Sequence, residues 1–248
     1  MLSALSRDAV RGTPAAPCEV VFLLDVDNTL LDNDRFSADL DAQLERTLGH
    51  EARRRYRAAC EALRDARGYA DYLGALQALR GEALVDDPAL LALSGFLLDY
   101  PFEDRVYPGA EAALAHVAAL GLPVILSDGD IVFQPRKIQR SGLWDAVQGR
   151  VLLSLHKETM LDAVQRAYPA RHYVVVDDKP ALLQAVKQRL GARATTVFVH
   201  QGHYAREADL EILQPPDLSL AHIGELVGLD TGRDVLLHRE LALMPELH

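Results

Sequence analysis

The sequence has few of the features that mark secreted or membrane-spanning proteins. Its 248 residues include only two cysteines, Cys18 and Cys60, which are too few for a disulfide framework. No apolar run approaches the roughly 20 residues that are needed to span a bilayer. The first residues also lack the continuous apolar stretch of a signal peptide. We therefore predict a cytoplasmic protein that has no membrane partner.

Positive charge is scarce as well. The chain has 26 Lys and Arg residues against 36 Asp and Glu residues, which gives a formal net charge of -10. Nucleic acids and anionic membrane surfaces require a basic face on the protein that binds them. This balance therefore argues against a nucleic-acid partner, although a locally basic pocket could still receive a small phosphorylated molecule.

Apolar runs alternate with helical patterns over most of the chain. A run such as Val20 to Leu24 is long enough for a strand that is buried on both faces. Strands that alternate with helices of about 10–15 residues indicate right-handed crossovers and a parallel sheet. The fold class is therefore predicted to be α/β, with a Rossmann-like parallel sheet as its core. The predicted strands cover 19–25, 123–126, 150–153, 172–176, 195–199 and a short segment near Leu218.

The segment between the first two predicted strands breaks this alternation. Leu40, Leu44 and Leu48 recur at helical spacing, and the helical pattern continues to residue 99 with glycines between its segments. No strand pattern occurs here, so we predict an inserted all-helical domain of about four helices. The predicted division is a core domain over residues 1–32 and 105–248 and a helical domain over residues 33–104.

Several shorter elements are predicted in the second half of the chain. They are helical stretches over 137–143 and 157–168, a loop over 200–204, and final helices that start near His222 and Asp234. His203 and Tyr204 lie in the predicted loop. They could contact a substrate, or they could have no role in binding.

Polar side chains follow three of the predicted strands. Asp25 and Asp27 follow the first strand, Ser127 and Asp128 the second, and Asp177 and Asp178 the fourth. The carboxyl ends of parallel strands meet at one edge of the sheet, so these side chains should converge. At about 4 Å and an effective dielectric of about 20, each pair of like charges costs about 4 kcal/mol. The cluster therefore requires a cation or raised pKa values of the carboxyl groups, and a set of oxygen ligands favours Mg²⁺ as the cation.

These residues also carry a resemblance to a known family. Their order along the chain resembles the four motifs of the haloacid dehalogenase-like (HAD) hydrolase superfamily, from about residue 19 to residue 204. Members that carry a helical insert between the first and second motifs have a C1-type cap domain, so the resemblance implies that the insert is such a cap. The motifs are Asp25-Val26-Asp27-Asn28-Thr29, then Ser127, then Lys157, then Asp177-Asp178.

The resemblance implies a mechanism of phosphoryl transfer. Asp25 would be the nucleophile, and Asp27 would be the general acid and then the general base. Ser127 and Lys157 would bind the phosphoryl group. Thr29 would support the loop of the first motif at the phosphoryl-binding site.

The resemblance also implies a magnesium site. Asp25 would bind the ion through its carboxylate, and Asp27 through its backbone carbonyl. Asp178 would be a further ligand, and Asp177 would bind directly or through water. The sequence departs from the usual motifs at Asp128, where Asn is frequent, at Glu158 and at Asp177.

The function implied is a Mg²⁺-dependent phosphatase that acts on a small phosphorylated metabolite. Haloacid dehalogenases proper lack a second aspartate in the first motif, so Asp27 favours phosphoryl transfer over cleavage of a carbon–halogen bond. A phosphomutase and a non-catalytic phosphate-binding module remain as alternatives.

Overall fold

A parallel β-sheet forms the centre of the protein. The structure is a computed structural model, which describes residues 16–80, 87–207 and 215–230. Within these residues, the sheet has six parallel strands in the order β3-β2-β1-β4-β5-β6. Each predicted strand is confirmed, and so is the α/β fold class. The strands are β1 (Cys18–Leu24), β2 (Leu122–Asp128), β3 (Val151–Ser154), β4 (Ala170–Asp177), β5 (Ala194–Val199) and β6 (Leu218–Leu220).

The central strand β1 shows why the sheet forms. Its apolar residues alternate between two cores: Phe22 and Leu24 pack on one face of the sheet, and Val21 and Leu23 pack on the other. All four are at most 1% exposed. A strand that is apolar at every position can be buried on both faces, as the helices of a parallel α/β fold require.

Helices cover the sheet and connect its strands. No helix in the described ranges is long and apolar enough to cross a membrane. The α-helices that follow the insert are α5 (Ala110–Leu120), α6 (Phe133–Arg140), α7 (Leu143–Ala146), α8 (Leu161–Ala167), α9 (Pro180–Leu190) and α10 (Gly202–Glu207), with 3₁₀ turns at Phe102–Arg105, Lys157–Thr159, Gly191–Arg193 and Ile223–Gly228.

The segment between β1 and β2 is helical, as predicted. The described part of this segment contains α1 (Asn33–Leu48), α2 (His50–Arg67), α3 (Tyr72–Ala78) and α4 (Asp87–Asp99), which we call the helical insert. The chain enters and leaves it side by side: Asp32 N–H donates to the carbonyl of Arg105 at 2.7 Å, and Tyr107 N–H donates to that of Leu30 at 2.9 Å. The domain boundaries at 32/33 and 104/105 stay a prediction.

Four of the predicted elements need revision. The helix predicted over 157–168 is a 3₁₀ turn followed by α8, because Met160 between them leaves helical geometry. The prediction of a loop over 200–204 was wrong, because α10 begins at Gly202. The stretch predicted over 137–143 begins earlier, at Phe133, next to a turn in which Asp130 Oδ1 accepts the N–H groups of Val132 and Phe133. The helix predicted near His222 is a 3₁₀ turn, and the one near Asp234 lies outside the described residues.

Candidate active site

The carboxyl edge of the sheet gathers three of the aspartates that the sequence singled out. Asp25 follows β1, and Asp177 and Asp178 lie at the end of the neighbouring strand β4. Carboxylate oxygens of the three lie within 4.8 Å of one another, and all three residues are buried. The expected convergence of these side chains is therefore present in the structure.

Lys157 lies between two of these carboxylates. Its Nζ is 2.6 Å from Asp25 Oδ1 and 2.6 Å from Asp177 Oδ2, and its side chain is 2% exposed. Burial by itself would lower the pKa of Lys157, but the charges of Asp177 and Asp25 raise the pKa above its ordinary value. The ammonium group therefore stays charged and neutralises part of the carboxylate cluster.

Asp178 has a different environment. Both of its carboxylate oxygens are buried and have no hydrogen-bond partner among the described residues. Burial, followed by the charges of Asp177 and Asp25, raises the pKa of Asp178 to about 9. Buried polar atoms nearly always have partners, so unpaired oxygens beside two other carboxylates fit a hard divalent cation.

The position of Lys157 depends on Asp128, which sequence reasoning placed at the edge of the sheet without assigning it a role. Asp128 Oδ1 accepts the backbone N–H of Lys157 at 2.9 Å and the hydroxyl of Ser154 at 2.7 Å. It thereby ties the end of β2 to the 3₁₀ turn that carries Lys157. An acid two residues after a predicted strand and directly before a glycine was the available signal.

The loop after β1 is a tight turn. The carbonyl of Val26 accepts N–H groups from Thr29, Leu30 and Leu31, and Asn28 takes the left-handed conformation with φ 63°, which asparagine tolerates better than most residues. Thr29 is fully buried, and its hydroxyl donates to Asp25 Oδ2 at 3.3 Å. Thr29 thus contacts the Asp25 carboxylate, and its supporting role at the phosphoryl-binding site stays a prediction.

Gly202 allows α10 to approach this loop. A Cβ at Gly202 would lie 2.3 Å from Cβ of Asn28, and φ of Gly202 is +71°. We expect Gly202→Ala to lower the melting temperature and the activity, because the loop or the helix must shift. Left-handed backbone alone costs a non-glycine residue about 1–2 kcal/mol.

The matched control for this prediction is Gly228→Ala. A Cβ at Gly228 would meet nothing within 4 Å, and its φ is not positive. Thermal unfolding of both variants checks the prediction, and equal melting temperatures would contradict it.

Asp27 is not one of the three clustered carboxylates and bonds instead to residues of α6. Both of its oxygens accept hydrogen bonds from Nζ of Lys137, at 2.7 and 2.9 Å. Nε2 of Gln134 donates to Asp27 Oδ2 at 3.3 Å and to Ser127 Oγ at 2.9 Å. Sequence reasoning missed both Lys137 and Gln134, although their spacing of three residues on one helix places them on the same face.

An open cavity of about 120 Å³ lies between these loops and the helical insert. The insert contributes Arg64 and Tyr69 to its wall, among others. His203 and Tyr204, which were open candidates for substrate contact, also line it. The core contributes Asp27, Asn28, Asp128, Gln134 and Lys179 to the same cavity.

Comparison with known proteins agrees with this geometry. The family model of haloacid dehalogenase-like hydrolases matches residues 20–199. The chain belongs to the haloacid dehalogenase-like hydrolases. A search of curated proteins found no match. This HAD-like hydrolase is similar to a haloacid dehalogenase-like hydrolase from Burkholderia xenovorans LB400 whose crystal structure is known. The two sequences are 57% identical, and the TM-score is 0.80. The match covers 86% of this chain and 100% of that chain.

More distant structures share the fold. The HAD-hydrolase YfnB from Bacillus subtilis, described as bound to magnesium, is 15% identical with a TM-score of 0.60, over 86% of this chain and 98% of that chain. The L-2-haloacid dehalogenase PA0810 is 23% identical with a TM-score of 0.56, over 91% and 100% of the two chains. At these identities the likeness establishes the fold of this HAD-like hydrolase and not its substrate.

Proposed function

We propose that this HAD-like hydrolase is a Mg²⁺-dependent phosphatase that hydrolyses a small phosphorylated metabolite through an aspartyl-phosphate intermediate. The main support for the proposal is that the two aspartates of the first motif, Asp25 and Asp27, differ in exposure and in bonding partners. Asp25 is 5% exposed and paired with Lys157, whereas the Asp27 side chain is 31% exposed and lines the cavity. An oxygen leaving group needs a proton, and Asp27 is the acid that can supply it.

In the first step, a carboxylate oxygen of Asp25 attacks phosphorus. A bond forms between this oxygen and phosphorus while the bond from phosphorus to the leaving oxygen breaks. Asp27 gives its proton to the leaving oxygen, so the product departs as an alcohol. Lys157 and Ser127 stabilise the charge on the phosphoryl oxygens.

In the second step, Asp27 acts as a base. It takes a proton from water as the water oxygen attacks phosphorus, and the bond to Asp25 breaks. Inorganic phosphate leaves, Asp25 returns to a carboxylate and Asp27 is protonated again. The proton that Asp27 gave in the first step is thereby replaced.

The metal would be held by the Asp25 and Asp178 carboxylates and the Asp27 backbone carbonyl, with Asp177 bound directly or through water. When bound, Mg²⁺ supplies positive charge that offsets the repulsion between Asp25 and the phosphoryl group. The unpaired oxygens of Asp178 support this assignment, and so does the magnesium bound to the related Bacillus subtilis protein.

The cavity supports a small substrate. Its volume of about 120 Å³ is below the range of about 300–1,000 Å³ that is typical of sites for drug-sized ligands, so it favours a compact metabolite. The helical insert would act as a cap over the bound metabolite. Closure of such a cap keeps bulk water from the reacting groups.

The test is an assay of phosphate release from p-nitrophenyl phosphate and from a panel of phosphorylated metabolites. We expect release with Mg²⁺ and its loss after chelation with EDTA. Isomerisation of a sugar phosphate without free phosphate would indicate a phosphomutase instead. Binding without turnover would indicate a phosphate-binding module. Halide release from L-2-chloropropionate, with no phosphate release, would overturn the proposal in favour of a dehalogenase.

A further inference from the structure

Lys137 on α6 is a fully buried lysine. Its ammonium group does not line the cavity, but it bonds Asp27, which does. Its side chain is 0% exposed. Its Nζ donates to both oxygens of Asp27, at 2.7 and 2.9 Å, and to Asn33 Oδ1 at 3.0 Å. An ammonium group has three N–H donors, and these acceptors use all of them.

Aromatic rings surround the same ammonium group. Nζ lies 5.6 to 5.9 Å from the ring centroids of Phe36, Tyr72, Phe102 and Phe133. Rings at this distance attract a cation, more strongly when the site is desolvated. Phe36 and Tyr72 belong to the helical insert and Phe133 to α6, so the lysine sits where the insert meets the core.

A buried charge of this kind is costly unless it is paired. From many helix positions, the aliphatic part of a lysine side chain is long enough to place Nζ in solvent. In Lys137 it places Nζ in the interior, against Asp27. Gln134 lies one turn earlier on α6 and donates to Asp27 Oδ2 at 3.3 Å. Two donors on one helix face therefore fix the direction of the Asp27 carboxylate.

We propose that Lys137 is a positioning residue that holds the Asp27 carboxylate in the orientation required for proton transfer to the leaving oxygen. The inference rests on the proposed phosphatase function. Lys137 has no exposed surface, so it acts through Asp27 and does not touch the substrate. A carboxylate offers about four lone-pair sites; Lys137 and Gln134 occupy three, and Asp27 still lines the cavity.

If Lys137 positions Asp27, the loss of kcat/KM on replacing Lys137 should depend on the leaving group of the substrate. A poor leaving group such as phenoxide needs the proton from Asp27, whereas 2,4-dinitrophenoxide departs without one. We compare kcat/KM for phenyl phosphate and 2,4-dinitrophenyl phosphate, because kcat/KM reports the steps through formation of the aspartyl-phosphate. Lys137→Met should lower kcat/KM for phenyl phosphate by about 10- to 100-fold. The value for 2,4-dinitrophenyl phosphate should fall by less than about threefold, since general acid catalysis contributes little to that reaction.

Methionine suits the test because a thioether packs well against aromatic rings. Asp27 is partly exposed, so water can solvate its carboxylate when Lys137 is replaced. Gln139→Met is the matched control: Gln139 is on the same helix and exposed, and this variant should keep both kcat/KM values. Circular dichroism verifies folding, and if Lys137→Met is unfolded, Lys137→Gln is judged by the same ratio.

Equal losses on the two esters would overturn the inference, because a structural defect affects both alike. An unchanged kcat/KM for phenyl phosphate would overturn it too. Both of these results leave the phosphatase proposal intact. A wild-type protein that releases phosphate neither from these esters nor from any member of the metabolite panel overturns the proposed function and this inference together.

Discussion

Replacing Asp25 with asparagine should abolish phosphate release while the protein stays folded. The amide is a poor nucleophile, so we expect the turnover rate to fall by about four orders of magnitude or more. Folding should survive because Lys157 keeps its second partner, Asp177, at 2.6 Å. The change also removes one negative charge from a buried cluster in which Asp25 raises the pKa of Asp178.

The measurement is phosphate release by wild type and variant with Mg²⁺ present, together with urea unfolding of both. Asp162→Asn provides a matched control, since Asp162 is an exposed carboxylate that pairs with Arg189 at 2.6 Å on the protein surface. That variant should retain its activity. Equal rates for wild type and Asp25→Asn would show that Asp25 does not attack phosphorus.

The sheet and its acidic edge could be predicted because both follow from local patterns. Val20 to Leu24 form an unbroken apolar run, which is what a strand covered on both faces requires. Parallel strands place their carboxyl ends together, so Asp25 and Asp177 had to meet. The family resemblance added roles for these residues, which the experiments above test.

The contacts of Asp27 could not be predicted in this way. Lys137 lies 110 residues further along the chain, and a lysine in a helical stretch is usually solvated. Its burial depends on aromatic residues from the insert and from α6, which only the folded chain brings together. Asp128 was visible as a departure from the usual motif, but its bond to the Lys157 backbone required the register of β2 and β3.

The helix α10 also escaped prediction for a physical reason. A glycine at its start usually indicates a loop, and the helix is only six residues long. Gly202 is required there because α10 packs against Asn28, where a side chain would collide. The need for glycine therefore comes from a tertiary contact and not from the local sequence.

Lys157→Met should have the largest combined effect on stability and activity. The substitution removes a buried cation that bonds Asp25 and Asp177, each at 2.6 Å. The three buried carboxylates would then lie together without the lysine charge that offsets theirs. They are those of Asp25, Asp177 and Asp178. Loss of one partner from a buried ion pair costs about 3–5 kcal/mol, so the free energy of unfolding should fall by about this amount. Activity should be lost as well, because the charge on the phosphoryl group is no longer neutralised by this residue.

Lys187→Met separates these two effects. Lys187 bonds Asp217 at 2.8 Å and the carbonyl of Ala194 at 2.7 Å, and it lies outside the cavity wall. Its replacement should lower the free energy of unfolding but leave kcat close to that of the wild type. Urea unfolding and phosphate release, measured on both variants below their unfolding transitions, provide the comparison. If Lys157→Met retains kcat, Lys157 stabilises the fold without acting on the phosphoryl group. If it unfolds at the same urea concentration as the wild type, the buried cluster does not need this cation.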